Sequence, residues 1–223
     1  MTRDARGAAA LPSTALPLDA AASREVDTAT FGLGCFWGPD ARLGVRPGVV
    51  RTRVGYAGGS TPSPTYRDLG DHTEVVQVDF DPTETSYRDL LDWFVRAHNP
   101  RANSPIRQYD NVVLWHDVGQ REAVEDVIAE QETRHGHVNT RAEPLDAFTV
   151  AEDYHQKYRL RSAPDLFDAL AARYDDAAVR ESTVAARLNG FVAGYGSAAL
   201  LADEGAAYGL PDELLATLRE RVA

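Results

Sequence analysis

Between Thr28 and Thr133 the hydrophobic pattern switches repeatedly between strand and helix periods, and the order of the switches restricts the chain to a small group of architectures. Thr28 to Leu33 reads as a strand, and the amphipathic stretch Gly38 to Val45, stopped by Arg46-Pro47-Gly48, as a helix. Val49, Val50, Thr52 and Val54 mark a second strand. A third runs from Glu74 to Phe80, where valines alternate with Gln77 and Asp79 before Asp81-Pro82. Tyr87, Leu90, Leu91, Phe94 and Val95 then recur at helical spacing behind Ser86, a good N-cap, and the helix should stop near His98-Asn99-Pro100. Val112 to Trp115 reads as a buried strand and Val118 to Thr133 as a helix. Strand, helix, strand, strand, helix, strand is the order of a split βαβ two-layer sandwich, an α/β (α+β) fold with helices packed on one mixed sheet.

This core, with a short helix expected over Glu152 to Tyr158, defines a catalytic unit over residues 27–160. Residues 1–26 lack periodicity and are expected to form a loose N-terminal arm. Residues 161–223 turn to Ala, Leu, Asp and Arg. Three apolar stripes, Leu166/Leu170/Ala171/Tyr174, Val184/Leu188/Val192 and Leu214/Leu215/Leu218, predict a helical C-terminal extension.

The net charge of −11 over 223 residues, with no basic run, opposes binding to nucleic acid or an anionic membrane. No stretch approaches the ~18 apolar residues of a membrane span. Pro12, Pro17 and Asp19 interrupt any signal-peptide apolar region, and a single cysteine suits a reducing compartment, so a cytoplasmic location is expected.

That cysteine, Cys35, sits in Phe31-Gly32-Leu33-Gly34-Cys35-Phe36-Trp37-Gly38, where a strand gives way to a helix start with Pro39 in the first turn. Free N–H groups at a helix start favour a thiolate. An ordinary cysteine, with a pKa of about 8.5, is only a few per cent thiolate at neutral pH, so such a setting raises its reactivity. One cysteine also excludes an internal disulfide, and an oxidised Cys35 must be restored by an external thiol. The six histidines do not form a zinc-ligand pattern, and Gly55 to Gly59 lacks the Lys-Ser/Thr ending of a phosphate loop; no metal and no bound cofactor are expected.

Gly34-Cys35-Phe36-Trp37-Gly38, Pro47-Gly48-Val49, Gly55-Tyr56-Ala57-Gly58-Gly59, Thr61-Pro62-Ser63-Pro64-Thr65-Tyr66, His72-Thr73-Glu74, His98-Asn99-Pro100, Gln108-Tyr109 and Glu152-Asp153-Tyr154-His155-Gln156-Lys157-Tyr158 occur in this order. Together they resemble the A-type peptide methionine sulfoxide reductases over about residues 28–160, leaving the last sixty residues outside. The resemblance implies thiol-dependent reduction of (S)-methionine sulfoxide, free or in proteins, through a Cys35 sulfenic acid. Glu74 would be the acid, Tyr66 and Tyr109 the donors to the sulfoxide oxygen, and Phe36 and Trp37 the walls for the S-methyl group. The external reductant would be a thioredoxin-like protein, a glutaredoxin-like protein or a small thiol.

Two departures from the family pattern stand out. Ser104-Pro105-Ile106-Arg107 replaces a segment that usually has an aspartate before a glycine-containing turn, so Ser104 is a candidate support for Tyr109. The loop between Tyr66 and Glu74 is also shorter, and His72 within it is a candidate support for Glu74. A thiol peroxidase or redox sensor would use the same cysteine, and a module binding methionine sulfoxide without reducing it would use the same pocket. The joint presence of Cys35, Glu74 and both tyrosines argues against the binding module.

Overall fold

The computed structural model describes residues 15–222. Its sheet contains β1 (Asp27–Leu33), β2 (Val49–Ala57), β3 (Thr73–Phe80), β4 (Asn111–Trp115), β5 (Arg141–Pro144) and β6 (Phe148–Val150), in the order β5-β4-β1-β3-β2-β6. Every neighbouring pair is antiparallel except β4 with β5, which makes the sheet mixed, as expected. The predicted strands form its four central members. β5 and β6 are short edge strands that the sequence pattern did not indicate.

Helices α2 (Trp37–Gly44), α3 (Tyr87–Ala97) and α4 (Val118–His135) accompany this sheet. A core of Phe31, Leu43, Val76, Val78, Leu90, Phe94, Val113 and Val124 joins them to it, with Phe31 stacked on Phe94 at 5.2 Å. Val76, Val78 and Phe80 alternate on β3 and so share one face. Ser86 opens α3 through a reciprocal capping box with Asp89, as its position before an apolar periodic run implies.

The C-terminal helices are α5 (Tyr158–Arg161), α6 (Pro164–Ala171), α7 (Asp176–Glu181), α8 (Thr183–Val192), α9 (Ala198–Glu204) and α10 (Asp212–Val222). They surround their own apolar core, built on Leu170, Val179, Val184, Leu188, Phe191 and Leu218. α8 lies directly against α2. A Cβ on Gly44 would come within 2.4 Å of Ala186 O, and one on Gly190 within 2.5 Å of Ala41 O, so only glycine permits this crossing. Arg187 donates to Gly44 O at 2.6 Å and Val49 O at 3.0 Å, fixing the same contact with hydrogen bonds.

Two expectations need correction. The loose arm over residues 1–26 is, from Pro17 to Ala21, the helix α1, and residues 1–14 lie outside the described residues. Asp19 is buried there because its carboxylate accepts from Tyr174 Oη at 2.7 Å, Ser182 Oγ at 2.9 Å and Val184 N at 3.1 Å. The helix expected over Glu152 to Tyr158 is a 3-10 turn, Asp153–His155, followed by Lys157 with φ 54° before α5 begins. Gln156 explains the break: its amide bonds both Val54 N (3.0 Å) and Val54 O (2.9 Å), taking the place of a further strand residue beside β2. The left-handed turn then drives Lys157 into the interior, where Nζ donates to Thr52 O at 2.6 Å, Thr52 Oγ1 at 3.1 Å and Asp40 Oδ1 at 3.4 Å.

Candidate active site

The chain leaves β1 through Gly34, whose φ of 67° is in the left-handed region, and this turn brings Cys35 to the surface immediately before α2. Phe36 is the N-cap of α2 but offers no side-chain acceptor. The free donors at the helix end therefore turn elsewhere: Phe36 N–H donates to Glu74 Oε2 at 3.1 Å, and Trp37 N–H to the Cys35 sulfur.

Glu74 begins the β3 stripe that continues through Val76 and Val78, a position otherwise suited to an apolar side chain, and it is 1% exposed. Its Oε1 accepts from Gln108 Nε2 at 2.7 Å. Burial pushes the carboxyl above its ordinary value, and the donors from Gln108, Phe36 and Cys35 offset this only in part. The Cys35 thiol is also raised, foremost by desolvation. The Trp37 N–H pulls it down, the Glu74 charge raises it further, and Arg159 pulls weakly the other way. The expected lowering by the helix end is thus overturned: that donor is present, but burial and a facing carboxylate outweigh it. Thiol and carboxyl each bear on the other's acidity, so they titrate as a pair.

Gln108 and Tyr109 sit on a 3-10 turn, Arg107–Tyr109, which Thr73 Oγ1 ties to β3 by donating to Arg107 O at 2.9 Å. Arg107 in turn donates to Asp71 O at 2.5 Å and Gly58 O at 2.6 Å, so it ties its own turn to two further loops. The Tyr109 phenol is raised by desolvation and then by the charges of Glu74, Tyr66 and Cys35, which keeps it a proton donor beside the pair. Tyr66 is 42% exposed; its ring lies 4.8 Å from that of His155, and its N–H donates to Glu152 Oε1 at 3.0 Å.

Phe36 is buried against Val54, Tyr56 and Ala151, while Trp37 is half-buried and stacks on Tyr158 with 3.6 Å between ring centroids. Trp37 Nε1 donates to His155 Nδ1 at 3.2 Å, which leaves that nitrogen bare and puts the imidazole proton on Nε2. Desolvation lowers His155 and keeps the ring neutral. Glu152 closes the cluster by accepting from Tyr56 Oη at 2.7 Å.

The two candidate supports act elsewhere. His72 Nε2 bonds Thr61 O at 2.8 Å, pinning the loop before β3 and leaving the orientation of Glu74 to Gln108 and Phe36 N. Ser104 Oγ accepts from Ile106 N at 3.0 Å and stabilises its own turn. Sequence reasoning assigned no role to Gln108, Arg107, Glu152 or His155, although Gln108 stood beside Tyr109 in a quoted motif and Glu152 and His155 stood in another. Among the described residues there is no group of three or more His, Cys, Asp or Glu suited to a metal ion, and no helix long and apolar enough to cross a membrane.

Comparison with known proteins gives a consistent result. A model of the family described as peptide methionine sulfoxide reductase matches residues 27–187, and one described as the helical domain of selenoprotein methionine sulfoxide reductase A matches residues 174–205, so the similarity runs well beyond residue 160. A peptide methionine sulfoxide reductase of Drosophila melanogaster is 45% identical over 172 residues, which is 76% of this chain and 69% of the relative. Peptide methionine sulfoxide reductase A5 of Oryza sativa subsp. japonica is 40% identical over 78% of this chain and 71% of its own length. Among solved structures, methionine sulfoxide reductase A of Corynebacterium diphtheriae superposes with a TM-score of 0.55 at 32% identity, covering 64% of this chain and 77% of that one. Reduced Mxr1 of Saccharomyces cerevisiae gives 0.57 at 29%, covering 64% and 89%.

Proposed function

Because the chain belongs to the peptide methionine sulfoxide reductase family and performs thiol-dependent reduction of methionine sulfoxide, we propose that Cys35 is its nucleophile and Glu74 the acid that serves the departing oxygen. The observation that carries this reading is the buried Glu74 carboxyl, held through its two oxygens by Phe36 N and Gln108 Nε2 and close enough to Cys35 for its charge to raise the thiol.

The thiol and carboxyl between them hold the proton the reaction needs. As sulfoxide enters, the Cys35 sulfur supplies an electron pair, Glu74 gives its proton to the sulfoxide oxygen, and the S–O bond breaks. The products are the thioether and Cys35–S–OH; the sulfoxide sulfur is reduced by two electrons and the Cys35 sulfur oxidised by two. Tyr109 and Tyr66 donate to the oxygen as negative charge gathers on it. The aromatic cluster of Phe36, Trp37, Tyr66 and His155 offers the apolar contact that selects the (S) configuration and takes the S-methyl group. Two equivalents of an external thiol then return Cys35 to the thiol, with release of disulfide and water, and this cycle draws its electrons from thiols without a resident cofactor. A single unpaired cysteine suits such a cycle in a reducing compartment such as the cytoplasm. No observation at the site favours the peroxidase or the non-reducing binding module.

The test is a single turnover without reductant. Wild type should convert one equivalent of (S)-methionine sulfoxide to methionine with loss of one titratable thiol, and leave the (R) epimer untouched. Cys35→Ser should form no methionine. Methionine produced by that variant, or equal turnover of both epimers, would refute the assignment.

A further inference from the structure

A cavity of about 190 Å³ reaches Cys35 along a wall that none of Glu74, Tyr66, Tyr109, Phe36 or Trp37 lines. Besides the cysteine, its lining includes Gly38, Pro39 and Arg42 of α2, Trp93 of α3, and Tyr195, which follows α8. The nucleophile is therefore approachable from two sides, one holding the acid and phenols and the other an arginine and two aromatic rings.

Arg42 stands one helical turn beyond Gly38, on the same face of α2, and helix side chains lean toward the N-terminus, here toward Cys35. The guanidinium is exposed and lies 5.0 Å from the centroid of the Tyr195 ring. Among the described residues it has no carboxylate partner. In a chain of net charge −11, Arg42 is, among the described residues, the one cation in the lining of this cavity beside the nucleophile. The volume is smaller than the ~300 Å³ at which ordinary small-molecule pockets begin, a size that suits the reacting end of a small molecule.

We infer that this cavity is the subsite for the reductant: it takes a low-molecular-weight thiol bearing a carboxylate, with Arg42 holding the carboxylate while the thiol sulfur meets Cys35. The inference rests on the proposed sulfenic acid cycle. In the step it serves, the incoming thiolate attacks the sulfur of Cys35–S–OH, the S–O bond breaks, and the oxygen leaves as water with one proton from the thiol and its own. Cys35–S–S–R forms. A second thiol then attacks that mixed disulfide at the sulfur of R, giving R–S–S–R and the Cys35 thiol. The acid and phenols stay on the other face, so product thioether and incoming thiol do not compete for one space.

The experiment uses two thiols that differ in charge at one group, N-acetylcysteine and its uncharged amide. The Cys35 sulfenic acid is formed with one equivalent of (S)-methionine sulfoxide, each thiol is added, and decay of the sulfenic acid is followed by trapping and intact mass. Arg42→Ala should slow N-acetylcysteine by about three- to fivefold, the scale of one exposed charge pair, and change the amide little. Arg42→Lys should keep most of the wild-type preference, and rising salt should erase it in the wild type as screening sets in. Equal effects on both thiols, no effect on either, or a loss that appears instead in KM for methionine sulfoxide would overturn the inference. Should no sulfenic acid form with sulfoxide, the functional reading fails at that stage. The same comparison on sulfenic acid made with hydrogen peroxide then still decides whether Arg42 recognises the carboxylate.

Discussion

Glu74→Gln separates the chemical role of the carboxyl from its place in the packing. The amide has the same length, but it cannot supply the proton; its carbonyl can keep Phe36 N while its NH2 donates to Gln108 once that amide turns over. Loss of a general acid costs about 10²- to 10⁴-fold, or roughly 3–5 kcal/mol of barrier. Neutral hydrogen bonds then replace charge-assisted ones, at a cost of about 1 kcal/mol of stability. Against that, the uncharged amide avoids the burial penalty that pushes the Glu74 carboxyl up, so the two effects on stability oppose and the unfolding midpoint should move by less than about 5 °C. A third change has a definite sign. The Glu74 charge raises the Cys35 thiol, so its removal should make alkylation of Cys35 at neutral pH faster while sulfoxide reduction collapses. The pH profile follows from the same pair. A raised carboxyl keeps its proton further into the neutral range and loses it as pH rises through the raised value, so single-turnover reduction by the wild type should fall on the alkaline side, and the variant should lack that limb. Rapid-mix methionine formation, iodoacetamide labelling and thermal melts provide the measurements. A variant that reduces sulfoxide within about threefold of wild type would refute general-acid catalysis, whose smallest expected contribution is far larger. Slower alkylation would refute the electrostatic account.

Gln108→Ala removes a donor that holds the Glu74 carboxyl down, so the alkaline limb should move to higher pH and kcat should fall about five- to tenfold, the worth of one hydrogen bond; an unchanged limb would show that Gln108 does not act through Glu74. Lys157→Met breaks a buried ion pair at the base of α2. Asp40 keeps its bonds to Thr52 Oγ1 (2.5 Å) and Asn189 Nδ2 (2.9 Å), so the loss should lie near the lower end of the usual range, about 3 kcal/mol by urea unfolding, and a loss below about 1 kcal/mol would deny the pair its structural role.

The elements legible in the sequence were those whose signal is local. The capping box at Ser86 and the stripe on α3 contain their own partners, and the central strands are marked by their own periods. β5 and β6 left no such signal because they are short and lie at the edges of the sheet, and β5 carries Arg141 and Glu143. The segment from Glu152 to Tyr158 has helical composition, yet Gln156 finds its partners on β2 and Lys157 finds Asp40, contacts that overrule propensity. Asp19 looked like an interruption in an apolar run, because the three groups that bind it belong to Tyr174, Ser182 and Val184 at the far end of the chain. At the site, the strand-to-helix turn around Cys35 was readable, but the direction of its acidity was not. That depends first on desolvation by the folded surroundings and then on a carboxylate delivered by another strand.

Desolvation, reinforced by Glu74, explains why a helix start carries this thiol without a lowered value. The end of α2 offers one N–H to the carboxyl and the next to the sulfur, so its partial positive charge favours a negative charge on either group and leaves the choice to what else is present. In the resting site burial disfavours charge on both, and a charge on Glu74 raises the thiol further. A sulfoxide oxygen that accepts the Glu74 proton can depart just as the sulfur attacks. This coupling requires the start of α2 to stay fixed relative to β3. The lower part of the helix supplies that rigidity: Asp40 is held from Thr52, Lys157 and Asn189, and Gly44 is pressed against Ala186 without space for a methyl group. Since Asn189 and Ala186 both belong to α8, the C-terminal helices brace the nucleophile through α2 rather than by touching it, and changes in α8 should reach the chemistry through the pair of Cys35 and Glu74.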